Sequence, residues 1–541
     1  MKKHNIVKVV LITLLVFLVL SWIFPAAYFS SEYIDQGRVQ MGLSNVFNYF
    51  MTSLSYFGHY ALYLILVGCF YGVLYKIPAY RTFLDKIVAK VNAKVFLVVT
   101  VLLLAFGVSF AGLQVGFAIF IPFIVSLILL MGYDKIVAAL VVVGSMAAGL
   151  VGSTYAYGNT SLLTGILGFD TNFQFGVRFV LLLVGIVVVL FNTFMYIKNN
   201  MGGEKVVAAP AKKEEVKEEV VVAKKVEAPK KEAAKNTKST KTTKTSTKKS
   251  TKSTKSKSTR KNANKAALRD EDIIVVKESV MNDSVNEDYL VPTRVEVTHR
   301  VWPFTVGFIL LFILLVMAWL TWGEGGFGVD WFDTVTTKFS EFTLFGFPIF
   351  QKVYGTVNAF GNWSVIDMFL PITLLLVLFI VIYRVKFDDV LDGIATGAKK
   401  ALLPAFVSLL LYTLLVTVTY HPYQLSIYKA FLGLTKGFNI ASTVAVALLS
   451  SIFNVDPAYS YQAFLPYFTS VVTESENYGL VGIISQSMYG LTALFAPSSF
   501  ILMCTLAYLK VSYKDWLKNS WKLLLELFVI LLIVFIILAL I

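Results

Sequence analysis

Long runs of apolar residues recur along the chain, and polar stretches separate them. A helix that spans a bilayer needs about 20 mostly apolar residues in succession. Runs that approach or exceed this length occupy residues 6–27, 59–76, 179–197, 303–322, 364–383, 401–420 and 520–541. Together with the shorter apolar runs between them, they predict about ten to twelve transmembrane passes.

The composition is also typical of a membrane protein. The 541 residues are 57% hydrophobic and 15% charged, and the mean hydropathy is +0.71. The N-terminus imitates a secretory signal peptide, whose apolar core is about 7–15 residues long. Here the apolar core runs from Val9 to Phe24, which predicts a retained first helix.

Charge divides the chain into three parts. Residues 201–300 hold 24 of the 48 Lys and Arg residues, and their centre, 235–265, is a low-complexity Lys/Thr/Ser tract. Such a tract has little apolar surface to bury and is typical of a disordered linker. We expect a first membrane half at 1–200, a basic linker at 201–300 and a second membrane half at 301–541.

The tract at 235–265 has two interpretations. It is either a solvated tether between the halves or an electrostatic anchor on anionic lipid headgroups, to which each lysine near the surface contributes about 1 kcal/mol. Nucleic-acid binding is not expected, because no aromatic side chains alternate with the lysines to stack on bases.

Basic residues also predict the orientation. Short loops rich in Lys and Arg stay in the cytoplasm, and the second connection carries Lys76, Arg81, Lys86, Lys90 and Lys94. The chain is therefore expected to be a multi-pass protein of the cell (plasma) membrane, with the N-terminus and the 201–300 linker in the cytoplasm.

The two halves share an order of motifs that indicates an internal repeat. The motifs are "IFIPF" (119–123), "GYDK" (132–135) and "GNTS" (158–161) in the first half, and "AFLPY" (463–467), "YGLV" (478–481) and "APSS" (496–499) in the second. The uncharged stretches 136–169 and 477–509 both become polar partway along. Interrupted apolar segments at matching positions are typical of the binding site of a secondary transporter.

These polar stretches supply the candidate substrate-binding residues. They are Gly158, Asn159, Thr160 and Ser161 in the first half and Pro497, Ser498 and Ser499 in the second. Gly158 is expected to let the backbone leave helical geometry, and free N–H groups at a helix N-terminus favour a carboxylate. The alternative is that the hydroxyls bond their own helices and the small residues only allow close packing.

Arg178 lies near the start of an apolar run and has two interpretations. It either attracts the carboxylate of the substrate or places its charge at the membrane interface.

Four stretches together resemble one transporter family. They are "LSWIFPAAYF" (20–29), "GYDK" leading to "GNTSLLTGILGF" (158–169), "RFVLLLVG" (178–185) and "APSSFILMCTLAYLKVSYKDWLK" (496–518). They resemble the C4-dicarboxylate anaerobic carrier family, including the YfcC-type amino acid carriers described as arginine/ornithine antiporters. The resemblance implies an all-α integral membrane fold with two inverted repeats, each with a re-entrant hairpin and a broken helix. It also implies an ion- or exchange-coupled carrier and allows a homodimer.

The chain departs from the family pattern at three places. An Asn-Pro-Phe of the family reads Asn-Thr-Ser at 159–161, and an acidic pair is replaced by "AGLQVG" (111–116) with a neutral Gln114. A Ser-Gly-Ser-Gly run is replaced by "SSIFNVDPAYS" (450–460). These departures leave the substrate and the coupling ion open.

The candidate ion-binding residues lie in this last stretch. By position, the resemblance implies Ser450, Ser451 and Asn454. Asp456 falls in the predicted second hairpin, where a carboxylate at membrane depth is expected to bind Na⁺ or a proton. No other cofactor is expected, and Cys69 and Cys504, the two cysteines, predict no thiolate metal site.

The sequence predicts a secondary active transporter, a carrier or antiporter, of a small carboxylate-bearing solute. The solute is an amino acid such as arginine or ornithine, or a C4-dicarboxylate, and Asn159 and Ser498 are expected to contact it. An ATP-driven pump or an enzyme is not expected, since the chain contains no P-loop, His-Glu-x-x-His or Gly-x-Ser-x-Gly motif. The alternatives are a passive channel and a non-transporting membrane scaffold that presents the basic segment 201–300.

Overall fold

The apolar runs of the sequence fold into helices. A computed structural model describes residues 5–201, 290–293, 300–323, 326–355, 357–435 and 437–540. These residues belong to one compact unit, in which the two halves pack against each other. The tract at 235–265, and with it the predicted lipid anchor, lies outside the described residues.

The first half contains helices of very different lengths. They are α1 (Asn5–Ile23), α2 (Leu43–Leu74), α3 (Pro78–Lys90), α4 (Ala93–Ala111), α5 (Ile121–Leu130), α6 (Lys135–Ala139), α7 (Ser145–Val151), α8 (Tyr157–Leu167) and α9 (Phe175–Asn200). A π-helical turn, Leu140–Gly144, joins α6 to α7. The strands β1 (Ala26–Phe29) and β2 (Tyr33–Gly37) form an antiparallel hairpin, which the all-helical prediction did not include.

The second half begins with a helix that follows the linker. Its helices are α10 (Trp302–Trp319), α11 (Trp331–Glu341), α12 (Ile349–Tyr354), α13 (Phe369–Tyr383), α14 (Phe387–Tyr420), α15 (Gln424–Leu432), α16 (Ile440–Phe453), α17 (Pro457–Val471), α18 (Tyr478–Thr492), α19 (Phe500–Leu509) and α20 (Tyr513–Leu540).

Among the described residues, seven helices are long and apolar enough to cross a membrane, so the chain is a membrane protein. These seven are Ile6–Ile23, Leu43–Leu74, Ala93–Ala111, Phe175–Asn200, Trp302–Trp319, Phe387–Tyr420 and Tyr513–Leu540. Five further apolar helices have 10–17 residues. The number of full-length spans is smaller than expected because several apolar runs are interrupted inside the protein.

Helices α2 and α14 form the closest contact between the two halves. A Cβ atom added at Gly72 would lie 2.1 Å from the Gly393 carbonyl oxygen, and one added at Gly397 would lie 2.1 Å from the Gly68 carbonyl oxygen. Only glycine at these positions lets the two backbones approach so closely, as small residues four apart commonly do in membrane helices.

We expect Gly397→Val to destabilise the protein by about 1–3 kcal/mol, because the new side chain has no room and must push α14 away from α2. The midpoint of thermal unfolding in detergent measures this effect. Gly165→Val is the matched control, since nothing lies within 4 Å of an added Cβ there. Equal unfolding midpoints for the two variants would contradict the packing argument.

Contacts between the ends of α2 and α14 identify two opposite ends of the helical bundle. Lys76 forms an ion pair with Asp392, which brings the end of α2 to the start of α14. We call this the basic end, because the basic residues 76–94 lie in the connection that begins here. At the opposite end, the His421 ring nitrogens lie 2.7 Å from the Tyr49 hydroxyl and 2.7 Å from the Val39 carbonyl oxygen. Helices α2 and α14 are therefore antiparallel.

Candidate functional site

The first polar stretch follows a helix interruption that lies earlier than the sequence predicts. Helix α7 ends at Val151 and α8 begins at Tyr157. The predicted break residues Gly158, Asn159, Thr160 and Ser161 therefore lie in the first turns of α8. The helix ends beside Gly152 because α9 crosses there: a Cβ at Gly152 would lie 2.3 Å from the Leu182 nitrogen. Gly158 has open space around it and is not needed for the break.

Ser109 of α4 bonds the non-helical backbone at 152–156. The Thr154 N–H donates to the Ser109 carbonyl oxygen (2.8 Å), and the Ser109 hydroxyl donates to the Gly152 carbonyl oxygen (2.7 Å). Gly112, which follows α4 with φ +66°, turns the chain from α4 towards α5. The interruption is thus fixed against the turn between these two helices.

Arg178 of α9 bonds carbonyl groups both at the interruption and in the turn between α8 and α9. Its guanidinium donates hydrogen bonds to four backbone carbonyls, those of Ser153 (2.7 Å), Thr154 (2.5 Å), Thr171 (2.6 Å) and Phe173 (3.0 Å). The side chain is fully buried. The expectation that Arg178 places its charge at the membrane interface is therefore wrong, because the interrupted backbone offers it acceptors in the interior.

The second half completes the first interruption. The Val151 carbonyl oxygen, which the break leaves without a helical partner, accepts hydrogen bonds from the Gln486 amide (3.2 Å) and the Ser487 hydroxyl (3.3 Å) of α18. Gly490 lets the helices touch, since a Cβ there would lie 2.3 Å from the Val151 nitrogen. The two halves therefore meet where α7 ends.

The second interruption lies where the sequence places it. Helix α18 ends at Thr492 and α19 begins at Phe500, so Pro497, Ser498 and Ser499 lie between the two helices. Ser499 caps α19, because its hydroxyl accepts a hydrogen bond from the Leu502 N–H (3.2 Å).

Helix α20 bonds the second interruption much as α9 bonds the first. The Trp516 indole donates to the Leu494 carbonyl oxygen (2.7 Å), and the Tyr513 hydroxyl donates to the Phe495 carbonyl oxygen. Trp516 is the fourth residue of α20, and Arg178 is the fourth residue of α9. In both halves, the second helix after the interruption thus uses its first turn to bond carbonyl groups that the interruption leaves free.

The turn between α16 and α17 carries the predicted carboxylate. Asp456 caps α17, where its Oδ1 accepts from the Ala458 N–H (2.9 Å), and Pro457 occupies the first helical position. The Ser498 hydroxyl donates to the Ile452 carbonyl oxygen (2.5 Å). Ser498 therefore joins the second interruption to this turn.

The other residues implied for ion binding bond the same hairpin. The Ser450 hydroxyl donates to the Ser460 carbonyl oxygen (2.6 Å), and the Ser451 hydroxyl donates to the Ala447 carbonyl oxygen of its own helix (2.7 Å). The Asn454 amide donates to the Gln424 side-chain oxygen (3.2 Å). The Ser450 contact joins the two arms of the hairpin, and the Asn454 contact joins its tip to α15, whereas the Ser451 contact stays within α16.

A polar cavity of about 490 Å³, counted with its open mouth, lies between these elements. It is lined by Gln114, Val115, Leu150, Tyr412, Ser451, Asn454, Val455, Asp456, Pro457, Tyr489, Thr492, Ala493, Ala496, Ser499, Phe500 and Ile501. Of the predicted residues, Ser451, Asn454, Asp456 and Ser499 lie together in its wall. Gly158, Asn159, Thr160, Ser161, Ser450, Pro497 and Ser498 are not among the lining residues.

Asn159 reaches the cavity through Gln114. The Gln114 amide nitrogen donates to the Asn159 side-chain oxygen (2.7 Å), and the Asn159 amide nitrogen lies 3.4 Å from the Gln114 oxygen. Thr160 instead bonds its own helix through the Ala156 carbonyl oxygen (3.1 Å), as the alternative interpretation holds. The first half thus contributes an amide pair rather than a row of hydroxyls.

Asp456 is the one charged residue among the described residues that line the cavity. Amides, hydroxyls and the aromatic rings of Tyr412, Tyr489 and Phe500 make up much of the remaining wall. The Tyr489 hydroxyl donates to the Val455 carbonyl oxygen (2.9 Å), which fixes that ring beside the carboxylate. A single carboxylate with aromatic neighbours is an environment that favours a cation.

A second, largely apolar cavity of about 770 Å³, counted with its open mouth, adjoins the first. The two share Gln114, Phe500 and Ile501 as lining residues. The larger cavity reaches Tyr75, which follows the last residue of α2, and Lys400 of α14, whose ammonium lies 5.0 Å from the centre of the Tyr75 ring. It therefore extends from the polar cavity towards the basic end.

Sequence reasoning missed Gln114, Arg178 and Trp516 as residues that shape the site. Gln114 is visible in the sequence only as a neutral departure from an acidic pattern. Arg178 and Trp516 contact backbone carbonyls, and a carbonyl gives no signal in a sequence. Their common position, the fourth residue of the second helix after each interruption, is the one signal that a search could have used.

The site has the donors and acceptors of a solute-binding pocket. Among the residues that the structure describes, no cluster of three or more His, Cys, Asp or Glu side chains could hold a metal ion. The amide, hydroxyl and carboxylate groups can bind a small polar molecule, and oxygen ligands of this kind also suit an alkali cation. No protein-family model, no curated protein and no solved structure matches the chain.

Proposed function

We propose that the chain is a secondary active transporter, a carrier or antiporter, that moves a small carboxylate-bearing solute by alternating access. One observation carries the proposal: a polar cavity lies where the interrupted helices and the hairpins of both halves meet. Non-helical backbone at membrane depth is tolerated only where it is buried in protein or lines a cavity. In transporters, such places are the substrate sites.

The order of elements supports two inverted repeats. A long helix, a short helix, a helical hairpin, an interrupted helix and a second long helix follow one another as α2 to α9 and again as α14 to α20. The first helices of the two series, α2 and α14, run antiparallel, as an inverted repeat requires. A hairpin and an interrupted helix in each repeat are also what the resemblance to the C4-dicarboxylate anaerobic carrier and YfcC-type family implies. The basic end is then the cytoplasmic end of a plasma-membrane protein.

The charges at the site favour an amino acid over a C4-dicarboxylate. A dicarboxylate would bring two negative charges towards Asp456, with no lysine or arginine among the described residues of the polar cavity wall. The ammonium group of an amino acid would instead pair with Asp456. Its carboxylate would face the N-terminus of α19, where the partial positive charge of the helix end favours an anion.

Counterflow in proteoliposomes tests this function. Liposomes preloaded with unlabelled amino acid should accumulate labelled amino acid, because a carrier exchanges solute across the membrane without an energy source. The same assay with succinate as the solute should give much slower exchange, and protein-free liposomes should give none. Uptake that equilibrates without counterflow would indicate a channel, and no uptake of any amino acid or dicarboxylate would contradict the proposal.

Asn159→Ala should lower the exchange rate about tenfold, because it leaves the Gln114 amide without its partner in the cavity wall. Asn48→Ala is the matched control, since Asn48 is exposed near the start of α2. The initial rate of exchange at saturating solute measures the difference. Equal rates for the two variants would mean that the amide pair does not serve transport.

A further inference from the structure

A short segment just before the second half is buried at the basic end. Leu290 is 1% exposed and Val291 is 5% exposed, whereas Thr293 is exposed. Leu290 and Val291 belong to the main hydrophobic core. Such burial is unexpected for residues of the predicted basic linker, which ends at residue 300.

Three side chains hold the main chain of this segment. The Leu290 carbonyl oxygen accepts hydrogen bonds from the Ser126 hydroxyl (2.6 Å) and the Tyr75 hydroxyl (3.0 Å). The Pro292 carbonyl oxygen accepts from an Arg81 guanidinium nitrogen (2.8 Å). Donors that point at backbone carbonyls, together with apolar space for two side chains, are the elements of a peptide-binding groove.

The three donors come from different helices. Tyr75 follows α2, Arg81 lies in α3, and Ser126 lies in α5. The side chain of Arg81 is nearly buried and pairs with Asp85 (3.0 Å), which fixes the direction of its guanidinium. A segment that bonds all three donors therefore fastens α5 to α2 and α3.

Helices α2 and α5 have different neighbours. Helix α2 is fixed to α14 through the glycine contact and the ion pair of Lys76 with Asp392. Helix α5 carries Pro122, which lines the larger cavity, and the Ser126 hydroxyl also lies within bonding distance of the Pro122 carbonyl oxygen (2.8 Å). Any movement of α5 away from α2 changes this wall of the cavity.

We infer that Tyr75, Arg81 and Ser126 form a peptide-binding groove that the chain fills with its own residues Leu290–Pro292, and that this docked segment holds α5 against α2. The occupant is identified by its contacts, since both acceptors belong to it and its side chains Leu290 and Val291 are buried in the hydrophobic core. Its location gives the linker a mechanical connection to the wall of the larger cavity. The contact itself stands without the proposed function, whereas its effect on transport rests on that function.

Hydrogen–deuterium exchange on the full chain in detergent tests the docking. Leu290→Asp places a charge in the apolar part of the groove, so the backbone amides of 121–133 should exchange about tenfold faster than in the unchanged protein. Thr293→Asp is the matched control, because it adds the same charge at an exposed position of the same segment. It should leave exchange at 121–133 unchanged.

Ser126→Ala provides a second variant should Leu290→Asp fail to fold. It removes one donor to the Leu290 carbonyl oxygen without adding charge, and it should accelerate exchange of 75–81 and 121–133 in the same direction. Exchange in these regions that matches Thr293→Asp in every folded variant would overturn the docking.

The transport assay distinguishes failure of the docking from failure of the proposed function. Leu290→Asp should change the maximal counterflow rate about fivefold or more, while the concentration for half-maximal exchange stays the same, because the groove lies outside the polar cavity. Faster amide exchange in a protein that transports no solute would support the groove and contradict the transporter. Faster amide exchange with unchanged counterflow would overturn the inferred link between the linker and the cavity wall.

Discussion

Asp456→Asn is expected to reduce amino acid exchange about 100-fold while the protein stays folded. The substitution removes the one charge among the described residues of the polar cavity wall, and with it the partner of the solute's ammonium group or of a coupling cation. Asparagine caps helices about as well as aspartate, so the start of α17 should be retained. Initial rates of counterflow and the thermal unfolding midpoint separate the two effects.

Asp515→Asn is the control for this variant. Asp515 is exposed in the first turn of α20 and accepts a hydrogen bond from the Ser512 hydroxyl (2.6 Å), so its loss should leave exchange unchanged. If Asp456→Asn also exchanged solute at the native rate, the carboxylate would have no part in binding. The charge argument for an amino acid would then fail.

Arg178→Met is expected to prevent folding or to abolish exchange. It removes the donors to four backbone carbonyls, and an unsatisfied buried acceptor costs about 1–3 kcal/mol. Their sum is comparable to the whole stability of a typical domain. The yield of monodisperse protein in detergent and the counterflow rate measure the loss, and Arg38→Met, at an exposed arginine, is the control.

Arg178→Lys should restore folding in part, because an ammonium keeps the charge but lacks the planar fork that reaches several carbonyls. We expect a lower maximal rate with an unchanged concentration for half-maximal exchange, since Arg178 is not among the residues that line the cavity. A lysine variant with an altered half-maximal concentration and a native rate would instead indicate direct contact with the solute. A folded and active Arg178→Met would contradict the positioning role altogether.

Sequence patterns were sufficient where local composition decides the structure. The apolar runs became helices, and Pro497 with its flanking serines lies between α18 and α19 because proline and a capping serine end and start helices locally. Asp456 lies in a helical hairpin, as the sequence predicts, and the Asp-Pro pair that begins α17 is a local capping signal.

Predictions from the sequence pattern failed where contacts with a distant part of the chain determine the local structure. The polar cluster at 158–161 looked like the break, yet the helix ends at Gly152 because α9 crosses there, and a crossing helix leaves no mark on the local sequence. Arg178 was misplaced for a related reason, since its partners are backbone carbonyl groups, two at that break and two in the turn between α8 and α9. The hairpin of β1 and β2 was missed because its strands have only four and five residues.

The resemblance to a transporter family was least informative where the chain departs from it. Gln114 replaces an expected acidic residue, and the structure pairs it with Asn159, which does match the family pattern. Gln114, which departs from the family pattern, and Asn159, which matches it, therefore contact each other.

The glycine contact between α2 and α14 determines which parts of the molecule are free to move. The backbones of α2 and α14 touch with no side chains between them, so neither helix can slide along the other without collision. We therefore expect this pair to stay fixed while other parts of the two halves move. In the transport cycle proposed above, we therefore expect the hairpins and interrupted helices around this pair to make the opening and closing movements.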